Sequence, residues 1–368
     1  MSLDEAVRSA MALIAKDDFE GGLALFAQIN QAAPGNPVVL GLMGRTCLKM
    51  GRYAQGVDFL KGAVSLHPNV DTVFDIFWGL AHMKAYGDAV ALCRDFAPLI
   101  DGDVRFLPFL GLAQIYVGLY REAVATLRRA REVMPEDFYI RHNLSTALLF
   151  LGQREEAVDC FSQLLRDWDG GDVIPTPLQR LDAIAEGYDQ NELHNWFSIR
   201  LLQLYRDHFP ARSMQRVLEL GTGTGLLASR LSGSALSVTG IERSTAMAAQ
   251  ARRRGVYAPL IEGDLPGVLD MVEGPFETIL SSCVLYYFAD LRPFFTQAAR
   301  LLGAGGVFLF SVDPLSDPRE VAITGPGEYA HSRAYLRRLA VESGFKEVAM
   351  EIDRHRGPPG FWCAFRKA

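Results

Sequence analysis

The chain has 368 residues, more than one compact core commonly holds, which predicts two domains. It is 49% hydrophobic and 22% charged, a balance that excludes a disordered chain. Its net charge of −6 argues against a general nucleic-acid binder, which would be basic. At the start, Met1-Ser2-Leu3-Asp4-Glu5 lacks the charged-then-apolar layout of a signal peptide. No apolar run reaches the roughly 18 to 20 residues that span a bilayer, and Pro108 and Gln114 break the most apolar stretch. The expectation is a cytoplasmic protein that engages neither membrane nor nucleic acid.

The first half is periodic. Pro34 and Pro68 lie 34 residues apart and Pro135 a further 67, close to two periods, with Asp101-Gly102 at the missing stop. Gly51 and Tyr53 precede Leu60, Ala63 and Pro68, and Gly118 and Tyr120 precede Ala123, Leu127, Ala130 and Pro135. Gly152 stands 34 residues after Gly118, ahead of Ala157 and Phe161. Phe19, Gly22 and Phe26 open the series before Pro34. Gly44 and Gly111 share an earlier position, where small size lets two helices approach closely.

This pattern resembles the tetratricopeptide repeat (TPR). The resemblance covers residues 1–167 as about five helix pairs, the third, near Tyr86 and Ala89, being the most degenerate. It implies an all-α superhelix of stacked pairs. It also implies a concave groove that takes an extended segment or helix of a protein or peptide partner. Polar, glycine-rich Asp167-Trp168-Asp169-Gly170-Gly171-Asp172 and then Pro175 and Pro177 predict a linker at 168–178.

Residues 179–368 alternate short β-rich runs with helical patterns. Strands are predicted at Arg216–Leu220, Leu236–Ile241, around Leu260, at Thr278–Ser281 and at Gly306–Val312. Helices are predicted at Leu226–Leu231, Thr245–Arg254, Leu291–Leu302 and Ser332–Ser343. Alternation implies an α/β domain with a parallel sheet, to which Phe361–Phe365 would add an antiparallel edge strand. The arginine runs at 252–254 and 337–338 read as solvated helix faces.

Val217-Leu218-Glu219-Leu220-Gly221-Thr222-Gly223-Thr224-Gly225 runs a buried strand into a glycine turn and a helix. Glycines admit positive φ and bring backbone close to a ligand. A helix N-terminus there would suit a carboxylate. The spacing is Gly-x-Gly-x-Gly, an acid stands two residues before it, and Glu242 ends the next strand, placed to take ribose hydroxyls. Glu262-Gly263-Asp264-Leu265 ends the third.

This ordered set resembles the class I, Rossmann-like, S-adenosylmethionine-dependent methyltransferases. The whole chain looks like a bacterial group of them that carries tetratricopeptide repeats, and Gly187-Tyr188-Asp189 and Trp196-Phe197 match the segment over the cofactor in that group. The resemblance implies a multidomain protein with S-adenosyl-L-methionine as cofactor. Gly221, Thr222, Gly223 and Gly225 would line its methionine part, which Glu219 would orient. Glu242, with Arg243 beside it, would hold the ribose. Asp264 and Leu265 would meet the adenine. Ser281 and Ser282 would stand near the reacting methyl group.

The acceptor side is less marked. Ser281-Ser282-Cys283-Val284-Leu285-Tyr286-Tyr287-Phe288 lacks the Asn/Asp-Pro-Pro-aromatic pattern of DNA amino-group methylation and the Pro-Cys of cytosine C5 enzymes. Cys283 reads as a structural thiol. His331 is the candidate general base, since it follows Gly325-Pro326-Gly327 and precedes a helix. Tyr188, Tyr286, Tyr287 and Tyr329 are candidate walls of the substrate cavity. The five cysteines and seven histidines show no ligand spacing, so no metal is expected. The reading is methyl transfer to an oxygen or nitrogen nucleophile, with the repeats recruiting partner or substrate. Two alternatives stay open: a small-molecule enzyme whose repeats serve assembly, and a non-catalytic interaction protein that still binds the cofactor.

Overall fold

A computed structural model describes residues 3–171, 182–231, 235 and 237–368. Pro175, Pro177 and most of the predicted linker lie outside these, as does Leu236. The chain divides into two compact units, Met1–Ala147 and Leu148–Ala368.

The first unit is helical: α1 Leu3–Ile14, α2 Phe19–Ala32, α3 Pro37–Lys49, α4 Tyr53–Leu66, α5 Val70–His82, α6 Tyr86–Asp95, the short α7 Ala97–Ile100, α8 Leu107–Tyr116 and α9 Tyr120–Val133. The boundary at Ala147 falls within helix α10, Phe138–Phe150. Side chains mark the starts. Asp18 caps α2 through Gly21 N, Asn36 caps α3 through Val38 N, and Asn69 caps α5 through Thr72 N. The glycines that set the period do two jobs. A Cβ on Gly44 would meet Leu60 Cγ at 2.4 Å, and one on Gly111 would meet Leu127 Cγ at 2.4 Å, so α3–α4 and α8–α9 pack closely only without it. Gly51 and Gly118 reverse the chain between helices with φ of +74° and +79°. Lys84 does the same between α5 and α6 at φ +56°, the residue missing from the degenerate pair.

The second unit contains α11, Arg154–Ser162, and β1, Arg166–Asp167, residues that the 34-residue period counts with the repeats. Ser162 Oγ accepts from Ser316 N at 2.8 Å, Arg319 donates to the carbonyls of Ser162 and Leu165, and β1 pairs antiparallel with β7, Val321–Gly325.

The remaining strands are β2 Arg216–Leu220, β3 Ser237–Glu242, β4 Leu260–Glu262, β5 Phe276–Ser281, β6 Leu302–Leu315, β8 Glu328–Ser332, β9 Phe345–Arg354 and β10 Pro359–Lys367. Strands β4-β3-β2-β5-β6 are parallel, and β10 and β9 continue from β6 antiparallel. Strand β10 is therefore interior, not the expected edge: it pairs on both sides, and Pro359–Phe365 are all buried. Past Val312, β6 leaves β10 and pairs in parallel with β8 over Asp313–Leu315. The Gly325-Pro326-Gly327 segment is the tip of the β7–β8 hairpin. Helices α12 Glu192–His208, α13 Leu226–Ser229, α14 Thr245–Arg254, α15 Arg292–Leu301 and α16 Arg333–Glu342 connect the strands. Phe295 packs with ring centroids 5.6 to 6.0 Å from Phe308, Phe310, Phe345 and Phe365. An all-α TPR region followed by an α/β Rossmann-like domain is the architecture the sequence predicts.

Candidate active site

Strand β2 pairs with β3 on one side and β5 on the other, so its carboxyl end is a topological switch point. A cavity of about 360 Å³ opens there, within the usual range for a ligand site.

Gly221, Gly223 and Gly225 hold φ of +74°, +52° and +83°. The first two line the cavity with Thr222, while Gly225 caps α13 away from it. Helix α13 has only four residues, shorter than predicted. A single turn carries little macrodipole, so attraction for an anion here rests on the backbone N–H groups of the loop.

Two acids reach the same cavity. Glu219 is 2% exposed and accepts from Tyr257 OH at 2.8 Å. Burial pushes its carboxyl up to about 8, with Glu242 adding to the rise and Tyr257 opposing it. Glu242 accepts three backbone N–H groups: Gly223 at 2.7 Å, Ser244 at 2.9 Å and Arg243 at 3.0 Å. Burial raises its pKa, and those three bonds counter the rise. Asp264 and Leu265 line the next stretch of wall with Arg243. The Asp264 side chain is 77% exposed, and its Oδ1 lies 3.1 Å from Arg243 Nε.

Tyr188 lies across the glycine turn, with Cε1 3.9 Å from where a Cβ on Gly223 would stand, and stacks on His194 at 3.6 Å. Asp189 accepts from Thr224 Oγ1 at 2.6 Å and pairs with Arg254, which pins that segment. Ser282, Tyr286 and Tyr287 also line the cavity; Ser281 is buried, with Oγ bonded to Leu220 O.

Besides Gly225 and Ser281, two more expected site residues do not line the cavity. Tyr329 is buried against Trp168, at 6.3 Å, away from the cavity. His331 is fully buried in β8, 3.2 Å from Ala289 O and stacked on Tyr335. Burial lowers its pKa to about 4. It lies behind the wall at Phe288 without lining the cavity itself, so the geometry does not place it as the general base.

Sequence reading missed a polar cluster beside the cavity. His355 follows β9, and its Nδ1 lies 2.8 Å from Asp313 Oδ1. Its Nε2 lies 3.1 Å from both Cys283 Sγ and Ser311 Oγ. Arg356 pairs with Asp313, donates to Glu328 at 2.7 Å and stands 3.9 Å over the Tyr286 ring. Burial works to raise Asp313, but Arg356 and His355 hold it below the usual carboxylate range. Burial lowers the His355 pKa against the pull of Asp313, and burial lifts the Cys283 thiol. Cys283 itself has φ +57°, costly for a residue with a side chain. An Asp inside the apolar strand Phe308–Leu315 is the one trace of this cluster in the sequence.

Among the described residues, no group of three or more His, Cys, Asp or Glu is placed to hold a metal ion. No helix among them is long and apolar enough to cross a membrane.

Residues 218–310 match the methyltransferase domain family, and residues 13–73 match the tetratricopeptide repeat family. The chain is similar to a malonyl-[acyl-carrier protein] O-methyltransferase of Enterobacter lignolyticus, 26% identical over 173 residues, 46% of this chain and 68% of that one. It is 30% identical over 157 residues to an uncharacterized methyltransferase of Bacillus licheniformis, covering 41% of this chain and 67% of that one. A crystal structure of magnesium protoporphyrin IX methyltransferase from Synechocystis superposes with a TM-score of 0.39 at 16% identity, over 54% of this chain and 90% of that one. This chain belongs to the S-adenosylmethionine-dependent methyltransferases and carries tetratricopeptide repeats ahead of its catalytic domain.

Proposed function

We propose that this enzyme methylates an oxygen or nitrogen nucleophile on an acceptor that the repeats bring to it, and that it acts in the cytoplasm. One observation carries the catalytic half of the reading. Glu219, the glycine turn, Glu242 and Asp264 line one cavity together with Cys283, Tyr286 and Tyr287. The first set suits a charged nucleoside: buried acids for an ammonium and for ribose hydroxyls, and a turn without Cβ atoms where the backbone must come close. When bound, S-adenosylmethionine supplies an electrophilic methyl group on a sulfonium.

The chain's own residues supply alignment and exclusion of water. Tyr188, held by Asp189 with Thr224 and Arg254, covers the glycine turn. Glu242 fixes the loop of Gly223 and the start of α14 together. The helical repeats supply the surface for a protein or peptide partner.

The test is capture of binding proteins on the full chain, followed by incubation with methyl-labelled cofactor. Label on a captured protein, or on a group it carries, supports recruitment. A free small molecule methylated at full rate while captured proteins stay unlabelled would favour repeats that serve assembly only. Absence of cofactor binding would sink the catalytic reading.

A further inference from the structure

Resting on that reading, we propose that Cys283, His355 and Asp313 form a proton relay at the acceptor wall, serving a neutral aromatic hydroxyl. Cys283 is the member that lines the cavity. It sits directly after β5 and beside Val284, whose side chain a Cβ on Gly221 would strike, so the thiol adjoins the glycine turn. Its backbone N–H donates to Ser311 Oγ at 2.9 Å, which fixes the strained turn and aims Sγ at His355. Asp313 accepts from Nδ1 of His355, so the Nε2 lone pair faces Cys283 Sγ and Ser311 Oγ. The order thiol, imidazole, carboxylate is that of a group which gives up its proton to a held histidine.

The charges around it choose the acceptor. Arg356 faces the cavity, but Asp313 and Glu328 both pair with it, so it offers an acceptor anion no net attraction. Its guanidinium already covers the Tyr286 ring, which leaves that face closed to a cation. Tyr188, Tyr287, Phe197 and Phe288 give the rest of this side an aromatic lining, interrupted by Ser282, His194 and Glu328, whose carboxylate is paired with Arg356. A neutral hydroxyl on an aromatic ring fits such walls, and unlike a carboxylate it needs a base.

The step balances. The acceptor oxygen bonds to the methyl carbon as that carbon's bond to the sulfonium breaks, and the electron pair stays on the departing sulfur. The hydroxyl proton passes to Cys283 Sγ while the thiol proton passes to His355 Nε2. Asp313 stabilises the imidazolium, which releases its proton to solvent after product leaves. Cys283 is the group that meets the acceptor; His355 and Asp313 act through it.

The test uses the full chain loaded with S-adenosylhomocysteine, whose binding is first confirmed by calorimetry. Failure there would count against the cofactor reading, separately from the relay. The loaded protein is then titrated with 4-nitrophenol at a pH where the free probe is mostly un-ionised. The expected result is the absorbance of bound nitrophenolate, retained in Cys283→Ser and lost in Cys283→Ala and His355→Gln, each variant being loaded with S-adenosylhomocysteine to the saturation its own titration shows. Should His355→Gln fail to fold, the two cysteine variants at the cavity wall still decide. Probe bound only as neutral phenol, no probe bound, or full nitrophenolate signal in Cys283→Ala would each overturn the proposal. Tighter binding of benzoate or benzylamine than of the phenol would overturn the acceptor class.

Discussion

Glu242 Oε2 accepts the backbone N–H of Gly223 at 2.7 Å, joining the end of one strand to the turn that follows its neighbour. Its other oxygen holds Arg243 N and Ser244 N. Glu242→Ala therefore removes both the proposed ribose acceptor and the clamp on the glycine loop. Affinity for S-adenosylmethionine should fall by about 1–3 kcal/mol, read by calorimetric titration. Unchanged affinity would remove Glu242 from the site.

Glu219 gives a pH dependence whose sign is fixed. Its carboxyl titrates near 8 in the fold against an ordinary 4.5. The folded state thus holds a proton that the unfolded state has lost between those values. The stability it contributes is complete below 4.5 and disappears as pH rises through 8. Without cofactor, Glu219→Gln should gain on the wild type in thermal unfolding as pH is raised from 5 to about 9. A constant difference across that window would refute the shift. Where Glu219 meets the cofactor's ammonium, binding at pH 7 should release up to about one proton, seen as buffer-dependent heat and absent from the Gln variant.

Local signals were legible before the structure and long-range ones were not. The turn at Gly221, the strand Arg216–Leu220 and the helix Thr245–Arg254 depend on neighbours within about one period, and they stand where their patterns place them. Asp313 and His355 are 42 residues apart and meet only because β10 folds back between β6 and β9. No spacing rule encodes that return. Pairing of β8 with β6 and β7 likewise holds His331 in a strand, although its neighbours Gly325 and Gly327 suggest an open loop. Helix α11 shows the converse case: its Ala157 and Phe161 keep the repeat's period, yet its Ser162 bonds to Ser316, since periodicity records helix shape and not what the helix packs on.

His331 is fully buried and does not line the cavity, and its titration gives a second pH dependence. Its folded pKa near 4 lies below the ordinary 6.5. The stability it contributes is present above 6.5 and is lost as pH falls through 4. His331→Gln should soften acid unfolding between pH 7 and about 4 while cofactor affinity stays within about twofold. Thermal melts across that range, with a titration at pH 7, check both; a large loss of affinity would return His331 to the site.

The degenerate repeat is improvable at one position. Lys84 has φ +56° in the turn between α5 and α6, where α3–α4 and α8–α9 place Gly51 and Gly118. A side chain in that conformation costs roughly 1–2 kcal/mol. Lys84→Gly should stabilise the protein by about 1 kcal/mol after the entropy of glycine in the unfolded chain is subtracted. Gly118→Ala should destabilise it by a similar amount. Denaturant melts that moved both variants in the same direction would contradict the shared role.

The two glycines that line the cavity should respond differently to the same methyl group. At Gly221 a Cβ would stand 2.4 Å from Val284 Cγ2, and φ is +74°. At Gly223 the nearest atom is Tyr188 Cε1 at 3.9 Å, ordinary contact, with φ +52°. Gly223→Ala therefore meets conformational strain alone, on the order of 1 kcal/mol. Gly221→Ala adds a collision with a β-branched side chain on the next loop, so its loss should exceed that of Gly223→Ala by about 1–3 kcal/mol. Val284→Ala should recover part of the difference in the double variant, because the clash is with that side chain and the φ strain is not. Equal losses at the two glycines, or no recovery with Val284→Ala, would mean that the turn and the Cys283 loop are not in the contact on which both the cofactor cradle and the relay depend.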